Sequence, residues 1–318
     1  PATVAAVGSM GYPTLIEKGY SKPFSLALIA SAGAIGVIIP PSIPMVMYGV
    51  STGTSITSLF MGGFLPGILI GLALIFWCYF YCKRKGWKGD AEKFSLRRTL
   101  LTIWDAKWAL INPVIILGGI YAGIFTPTEA AGVAAVYALI VGVFVYKELD
   151  LKGLLKLLEN SCVTTATIMI ILGCASAFTK VLTIEQIPAM VTNAMLELTS
   201  SKFVILLLIT ILLLIVGCVM DTTPAILVLA PILLPVVESF GVHPVHFGIA
   251  MVVNLAIGFL TPPLGVNLFV AARVGNEKVD TVIKGIVPFI IVMVACLLLI
   301  TYFEDISMLL PNLLERKT

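Results

Sequence analysis

Asp221 is the most unusual ionisable residue in the sequence, because it lies between two strongly apolar runs. Residues 220–224 (MDTTP) separate the apolar runs 203–219 and 225–237. A carboxylate within a membrane costs at least about 2.5–3.5 kcal/mol, so it usually has a function such as ion binding. If this turn instead faces water, Asp221 needs only to cap the helix that begins near Pro224. The two roles are compatible, since a capping carboxylate can also bind a cation.

Two further apolar runs are interrupted by prolines. Residues 24–39 are followed by PPSIP at 40–44, and residues 247–260 are followed by TPPLGVN at 261–267. Proline removes a backbone N–H, and each unpaired backbone group in hydrocarbon costs several kcal/mol. The carbonyls of such a break can bind Na⁺, and the N-termini of half-helices attract anions. The two breaks are therefore the best candidates for a binding site, with Ser42 and Asn267 as their polar side chains, although Ser42 is also compatible with a plain turn.

The composition identifies the class of protein. Of the 318 residues, 59% are hydrophobic and 12% are charged, whereas soluble domains have about 45–50% and about 25%. These values exclude a disordered chain, a soluble enzyme domain and a nucleic-acid-binding surface. The six cysteines lie in or beside apolar runs without a C-x-x-C pair, so neither a disulfide framework nor a zinc site is indicated.

The apolar runs recur at lengths that suit a bilayer and predict an all-α polytopic membrane protein. The predicted spans are 24–50 with its break, 59–82, 108–125, 130–146, 163–181, the hairpin 203–237, 247–272 with its break, and 285–303. Thr126, Pro127 and Glu129 predict a capped helix start. Residues 91–107 mix Leu and Trp with Lys and Arg, as in a helix that lies on the membrane surface, and 187–200 are mildly amphipathic. Residues 151–158 form a short basic and apolar stretch.

An internal repeat is the strongest pattern in the sequence. Residues 13–66 align without a gap with residues 235–288 at a shift of 222. Eight glycines and prolines match in this frame, and these residue types control backbone geometry. The matched pairs are Pro13/Pro235, Gly19/Gly241, Gly36/Gly258, Pro40/Pro262, Pro41/Pro263, Gly53/Gly275, Gly63/Gly285 and Pro66/Pro288. The sequence therefore contains two structurally similar units.

The positive charges predict the orientation of these units. Residues 83–107 contain eight Lys or Arg, which places this loop in the cytoplasm. Counting spans from there makes 203–237 a re-entrant hairpin and makes 59–82 antiparallel to its repeat partner 285–303. Sixteen of the twenty basic residues then lie inside, and the exceptions are Lys180, Lys202, Arg316 and Lys317. Inverted repeats with broken helices are typical of secondary transporters.

The sequence also bears on three functions other than a secondary transporter. A channel with a fixed pore, built from the same broken helices, is the main alternative. An intramembrane enzyme is disfavoured, because the sequence has no embedded Ser/His pair, paired catalytic Asp or H-E-x-x-H motif. An ATP-driven pump is disfavoured because the chain contains no G-x-x-x-x-G-K-[ST] loop.

Four sequence runs resemble the large membrane subunit of tripartite ATP-independent periplasmic (TRAP) transporters. They are PATVAAVGS, GVIIPPSIPMVMYG, MDTTPAILVLAPILLPV and GFLTPPLGVNLFVA. The resemblance extends over essentially the whole chain. Large subunits of this family have further N-terminal residues, so we expect the beginning of a first hairpin, and the spans before it, to precede residue 1.

The resemblance implies a mechanism and a set of partners. The fold would be of the elevator type, in which a mobile transport domain with two re-entrant hairpins and two broken helices moves against a scaffold. A small membrane subunit would pair with this chain in the bacterial inner membrane. A periplasmic binding protein would deliver an organic acid anion, such as a sialic acid or a C4-dicarboxylate. A Na⁺ gradient would drive uptake.

The resemblance also implies two Na⁺ sites with a substrate site between them, and no transition metal. By position, the first Na⁺ site would include Pro1, Thr3, Gly36, Ile39 and Ser42. The second would include Asp221, Thr222, Thr223, Gly258, Thr261, Gly265 and Asn267. The substrate anion would contact Pro41, Ser42, Thr223, Pro263 and Asn267. Bound Na⁺ would order the hairpin tips and thereby create the anion site.

The expected domain organisation follows from the same resemblance. Residues 1–58 and 201–280 would be the two transport-domain parts. Residues 59–107 would be a scaffold span with a basic interfacial arm, and 108–200 would be scaffold spans with a second interfacial arm. Residues 281–318 would be the last span and a C-terminal tail.

Overall fold

The structure is a computed structural model that describes residues 1–87 and 95–315. The basic residues Lys88, Lys93, Arg316 and Lys317, which enter the charge count above, lie outside the described residues. The same is true of positions 91–94 of the predicted surface helix.

All regular secondary structure in the described ranges is helical. The α-helices are α1 (Ala2–Glu17), α2 (Lys22–Ile38), α3 (Ile43–Thr52), α4 (Ile56–Lys85), α5 (Leu96–Asp105), α6 (Lys107–Tyr121), α7 (Pro127–Ile140), α8 (Leu151–Ile184), α9 (Ile187–Leu198), α10 (Lys202–Val219), α11 (Thr222–Ser239), α12 (Pro244–Gly258), α13 (Val266–Val274), α14 (Val279–Tyr302) and α15 (Asp305–Glu315). A short π-helical segment, Val141–Val145, extends α7.

The predicted class of an all-α polytopic membrane protein is confirmed. Seven segments in the described ranges are long and apolar enough to cross a membrane: Lys22–Thr52, Ile56–Lys85, Pro127–Val145, Leu151–Ile184, Lys202–Val219, Thr222–Ser239 and Val279–Tyr302. The pair α5–α6 meets the same criteria only as a bent unit, and α12 is shorter. The chain forms two compact units, one with α1–α4 and α9–α15 and the other with α5–α7, and α8 contributes to both.

The internal repeat is present in the structure element by element. Helices α1, α2, α3 and α4 correspond to α11, α12, α13 and α14 at the shift of 222. Contacts between the copies are reciprocal: α1 packs on α13 while α11 packs on α3, and α2 packs on α14 while α12 packs on α4. Such exchange is what a two-fold relation between two units produces. The turns before α2 and α12 both need positive φ, with 79° at Gly19 and 71° at Gly241.

The long helices α4 and α14 run antiparallel. Near the start of α4, a Cβ on Gly62 would lie 2.9 Å from the carbonyl oxygen of Ser307, which follows the end of α14. Near the end of α4, the ring centroid of Tyr81 is 5.0 Å from that of Phe24. The Phe24 ring is in turn 5.8 Å from Phe289, in the first half of α14. Because α4 and α14 are equivalent elements, the two repeats have opposite orientations, as the charge count predicted.

Helices α10 and α11 form a hairpin whose turn lies beside the break between α12 and α13. The backbone N–H of Leu264 donates a hydrogen bond of 2.9 Å to the carbonyl of Cys218, in the last turn of α10. Helix α13 continues for nine residues beyond this break. The turn therefore lies part-way along the broken span, which is the geometry of a re-entrant hairpin.

Three local features bear on the sequence predictions. The capping box of Thr126 and Glu129 is confirmed, with both reciprocal bonds present. Residues 151–158 are not a separate stretch but the first turns of α8, because Leu and Lys favour a helix and no proline interrupts them. The C-terminal tail contains a helix that was not predicted, α15, which packs on α4 and α12.

We predict that Gly285→Ala destabilises the packing of α14 on α2. A Cβ at Gly285 would lie 2.7 Å from the carbonyl carbon of Pro23, and a backbone atom cannot move aside as a side chain can. Overpacking of this kind costs about 1–3 kcal/mol. Thermal unfolding of the purified protein measures the effect, and the expected result is a lower melting temperature.

Gly132→Ala is the matched control, because a Cβ at this position of α7 meets no atom within 4 Å. It should leave the melting temperature unchanged or raise it slightly, since alanine favours a helix by up to about 1 kcal/mol over glycine. Equal melting temperatures for Gly285→Ala and the unsubstituted protein would contradict the packing described here.

Candidate functional site

The first break frees two backbone carbonyls. In an unbroken helix, Gly36 and Val37 would accept hydrogen bonds from residues 40 and 41, but both of these are proline and have no N–H. The Ser42 hydroxyl replaces one of the lost donors by donating to the Val37 carbonyl at 2.5 Å. The same hydroxyl caps α3 by accepting from the N–H of Met45 at 3.4 Å. The carbonyl of Gly36 is therefore an oxygen that this break leaves without its usual donor.

The second break frees the equivalent carbonyls and satisfies them differently. Gly258 and Phe259 lose their usual donors to Pro262 and Pro263. The carbonyl of Gly258 accepts instead from the N–H of Thr261 at 3.0 Å, and that of Phe259 accepts from the N–H of Asn267 at 3.1 Å. Each carbonyl has a second lone pair, which leaves one acceptor position. The Pro–Pro peptide bond is cis in both breaks.

The N-terminus of α1 lies against the first break. A Cβ on Gly36 would be 2.6 Å from the hydroxyl oxygen of Thr3, and Val4 is fully buried against Gly33. Only glycine at positions 33 and 36 allows α1 to approach α2 this closely. The structure thus places Thr3 against Gly36 at the first break. The role of Pro1, Thr3 and Gly36 in a Na⁺ site stays a prediction.

The hairpin turn between α10 and α11 lies against the second break. Besides the Leu264–Cys218 hydrogen bond, the backbones of Gly217 and Gly258 are in direct contact. Asp221 caps α11, and its Oδ1 accepts from the N–H of Thr222 at 2.7 Å. Cys218, Leu264 and Gly217 were not predicted as site residues, because their contribution is made by the backbone and has no side-chain signature.

Helix N-termini lie at both breaks. The N-terminus of α3 lies at the first break, and those of α11 and α13 lie at the second. Helix N-termini carry partial positive charge and unpaired N–H groups. Residues 1–4, 36–46, 217–224 and 258–268 contain no Lys, Arg or His. An anion at this place would therefore be bound by backbone N–H groups, helix dipoles and any bound cation.

Two buried side-chain oxygens near the breaks lack a hydrogen-bond partner within the described residues. They are Oγ1 of Thr222 and Oδ1 of Asn267, whose residues are 2% and 0% exposed. The Asn267 amide nitrogen is bonded to the carbonyl of Ala30 in α2 at 3.2 Å, so its oxygen alone is left over. Neutral oxygens of this kind suit a hard cation such as Na⁺ better than a transition metal. The residues present therefore fit the cation that the sequence resemblance implies.

The remaining predicted site residues differ in exposure. Pro41, Asp221 and Pro263 are exposed, Gly265 is buried, and Ile39, Thr223 and Thr261 are half-buried. The Thr261 hydroxyl already donates to the carbonyl of Ile257 at 3.1 Å. Their roles in binding Na⁺ or substrate remain predictions.

An apolar groove of about 910 Å³ between α2 and α4 is a different feature from the site. Its walls include Ala32, Ile35 and Leu74. The position equivalent to Ala32 in the second repeat is Asn254, whose amide donates to the carbonyl of Thr210 in α10 at 3.0 Å. The groove is thus the counterpart of the surface that α10 covers in the second repeat.

The fold and the paired breaks define a multi-pass membrane transporter built on an inverted repeat. The family model described as "Tripartite ATP-independent periplasmic transporter, DctM component" matches residues 1–306. The chain therefore belongs to this family, the large permease subunits of TRAP transporters, and the family predicted from the four sequence runs is confirmed.

Curated relatives support the same assignment. The chain is 52% identical to the isethionate TRAP transporter permease protein DctMQ of Oleidesulfovibrio alaskensis over 97% of its length. It is 42% identical to the C4-dicarboxylate TRAP transporter large permease protein DctM of Pseudomonas aeruginosa and 38% identical to the sialic acid TRAP transporter large permease protein SiaM of Vibrio cholerae, each over 98%. The chain spans 48% of the first relative and 73% of each of the other two.

We predict that Ser42→Ala destabilises the protein more than the loss of a cap alone. The substitution removes the cap of α3 and leaves the Val37 carbonyl without its donor in a buried place, since Ser42 is 2% exposed. Leaving a buried acceptor unsatisfied costs about 1–3 kcal/mol. A lower thermal unfolding temperature is the expected result.

Ser55→Ala serves as the control, because Ser55 also caps a helix, by accepting from the N–H of Ser58 at 3.2 Å, but is exposed. Its loss should cost only about 0.5–2 kcal/mol, as for an ordinary cap. If Ser42→Ala were no more destabilising than Ser55→Ala, the Ser42 hydroxyl would not be needed to satisfy the break.

Proposed function

We propose that this chain forms the transport pathway of a Na⁺-coupled uptake system for an organic anion in a bacterial inner membrane. A periplasmic binding protein delivers the anion, and a small membrane subunit accompanies the chain. The relatives named above carry isethionate, C4-dicarboxylate and sialic acid in their names. All three are organic acids that are anionic at neutral pH, which supports this substrate class and leaves the individual substrate open.

The observation that carries this proposal is an anion-attracting site without a basic side chain. Three helix N-termini, those of α3, α11 and α13, lie at the two breaks, while the tip and break segments contain no Lys, Arg or His. Cation ligands are available beside these N-termini. They are the freed carbonyls and the side-chain oxygens of Thr222 and Asn267 that have no hydrogen-bond partner among the described residues. A cation bound there adds the positive charge that the side chains lack. Binding of the anion then depends on Na⁺, and this dependence couples the two gradients.

We further propose an elevator movement in which both repeats move as one body. Helix α4 packs closely on the first break, because Gly63 lies against Met45 and the Ile38 carbonyl, and Gly67 lies against Ile39. Helix α14 packs equally closely on α2 at Gly285. This packing favours a mobile unit that includes α4 and α14, so we place the boundary of the mobile part after α4 rather than at residue 58.

A channel is the alternative, and the packing at the tips favours a transporter. The contacts of Val4 with Gly33 and of Gly217 with Gly258 fill the space beside each break. A fixed pore would need an open path past the same breaks. Accumulation of solute against its gradient, with saturation, is expected from a transporter and impossible for a channel.

We predict that Asn267→Ala weakens the Na⁺ dependence of uptake. Proteoliposomes that contain the complete permease, supplied with its binding protein and labelled substrate, measure the initial rate at increasing Na⁺ concentration. Loss of one oxygen ligand should raise the Na⁺ concentration for half-maximal uptake severalfold. Uptake by the unsubstituted system that does not respond to Na⁺, or that requires ATP, would refute the proposed function.

Asn254→Ala is the matched control, because Asn254 has the same pattern of contacts as Asn267. It is 1% exposed, its amide nitrogen is bonded to a carbonyl of a neighbouring helix, and its Oδ1 has no partner among the described residues. It lies in α12 before the break, so its loss should affect stability but not Na⁺ dependence. Equal shifts in Na⁺ dependence for both variants would assign the effect of Asn267 to packing.

A further inference from the structure

Helix α5 presents an apolar face that no other described element covers. None of its residues is buried, and Trp104 is 66% exposed. The large apolar side chains that share this exposure are Leu96, Leu100, Leu101, Ile103 and Trp104. At 100° per residue, most of them lie on one side of the helix, opposite Arg98, Thr102 and Asp105. A soluble surface would not carry such a face without a partner.

The direction of α5 identifies the environment of this face. The axis of α5 is inclined by 72° to that of α6, which is apolar. Arg97, Arg98 and Asp105 exclude α5 from the hydrocarbon core, so it lies along the membrane surface. The Tyr137 hydroxyl of α7 donates to the carbonyl of Trp108 at 2.8 Å. The bend therefore lies about two helical turns inside the end of the α7–π segment.

Cationic groups accompany the aromatic residues of this face. The ammonium of Lys107 is 4.0 Å from the ring centroid of Trp104 and 5.6 Å from that of Trp108. Arg97 lies seven positions before Trp104, and two helical turns bring it to the same side of α5. Asp105 is the one acidic residue of Leu96–Asp105, so basic groups predominate here.

We propose that α5 is a docking surface for anionic phospholipids. Trp104 and the leucines enter the boundary between headgroups and acyl chains, while Arg97 and Lys107 bind the lipid phosphate and its additional negative charge. Basic side chains attract anionic lipid from the cytoplasmic leaflet, and aromatic rings fix the depth at which α5 lies in the membrane. This surface belongs to the membrane anchoring of the unit that contains α5, and it is independent of the proposed Na⁺ and substrate sites.

Quenching of Trp104 fluorescence by brominated lipids tests this proposal. The chain has four tryptophans, and replacement of Trp77, Trp87 and Trp108 by Phe leaves Trp104 as the single reporter. The full chain is reconstituted into phosphatidylcholine vesicles with the same small mole fraction of brominated phosphatidylglycerol or brominated phosphatidylcholine. Phosphatidylglycerol should quench more effectively, by about fivefold for each basic side chain engaged.

Two variants then assign the selectivity to particular residues. Arg97→Gln combined with Lys107→Gln should abolish the difference between the two brominated lipids. Lys152→Gln removes an exposed basic residue at the start of α8 and should leave the difference intact. Equal quenching by both lipids in the single-tryptophan chain would overturn the proposal without recourse to either variant. Absence of quenching by both lipids would also overturn it, because the face would then be covered by protein.

Discussion

The pairing of backbone hydrogen bonds is the constraint on which this structure depends. The adjacent prolines of each break, Pro40–Pro41 and Pro262–Pro263, remove N–H donors at positions that the surrounding helices place in the apolar interior. The freed carbonyls must be satisfied by the protein, by water or by a cation. Ser42, Thr261 and the backbone N–H of Asn267 satisfy part of this demand. The carbonyl oxygens whose hydrogen-bonding capacity is still unfilled suit Na⁺. They lie beside helix N-termini, which attract an anion. The N–H donors that the prolines lack thus explain two things: why the freed carbonyls need other partners, and why the breaks are proposed to bind Na⁺ and an anion.

The two repeats satisfy the freed carbonyls of their breaks with different residues. Ser42 has its counterpart at Leu264, so a hydroxyl satisfies the first break while the second is joined through its backbone to Cys218. The matched Gly53 and Gly275 also differ, since φ is +73° in the first and −82° in the second. A two-fold relation therefore fixes the path of the chain but not the local contacts. Two similar but unequal breaks suit the proposed arrangement, in which one anion is held between two cations.

The sequence predicted the elements and their orientation well, because glycine and proline act directly on the backbone. The repeat frame, the broken helices, the capping box at Thr126 and the opposite orientation of the repeats all rest on such residues or on charge. The helix α15 was not predicted, since its burial depends on distant contacts with α4 and α12. The contact of Gly217 with Gly258 was not predicted either, because it joins segments that pack only in the fold. Asn267 was identified by its position, but only the structure shows that its amide nitrogen is bonded to Ala30 and its oxygen is left over.

Thermal unfolding of the purified permease in Na⁺ and in K⁺, at equal ionic strength and without substrate, tests the central claim most directly. A ligand that binds only the folded state stabilises it by RT ln(1 + [L]/Kd), or about 2.7 kcal/mol at a hundredfold excess over Kd. If the breaks bind Na⁺, the melting temperature rises steadily with Na⁺ concentration and much less with K⁺. Superimposable curves for the two cations would contradict the account.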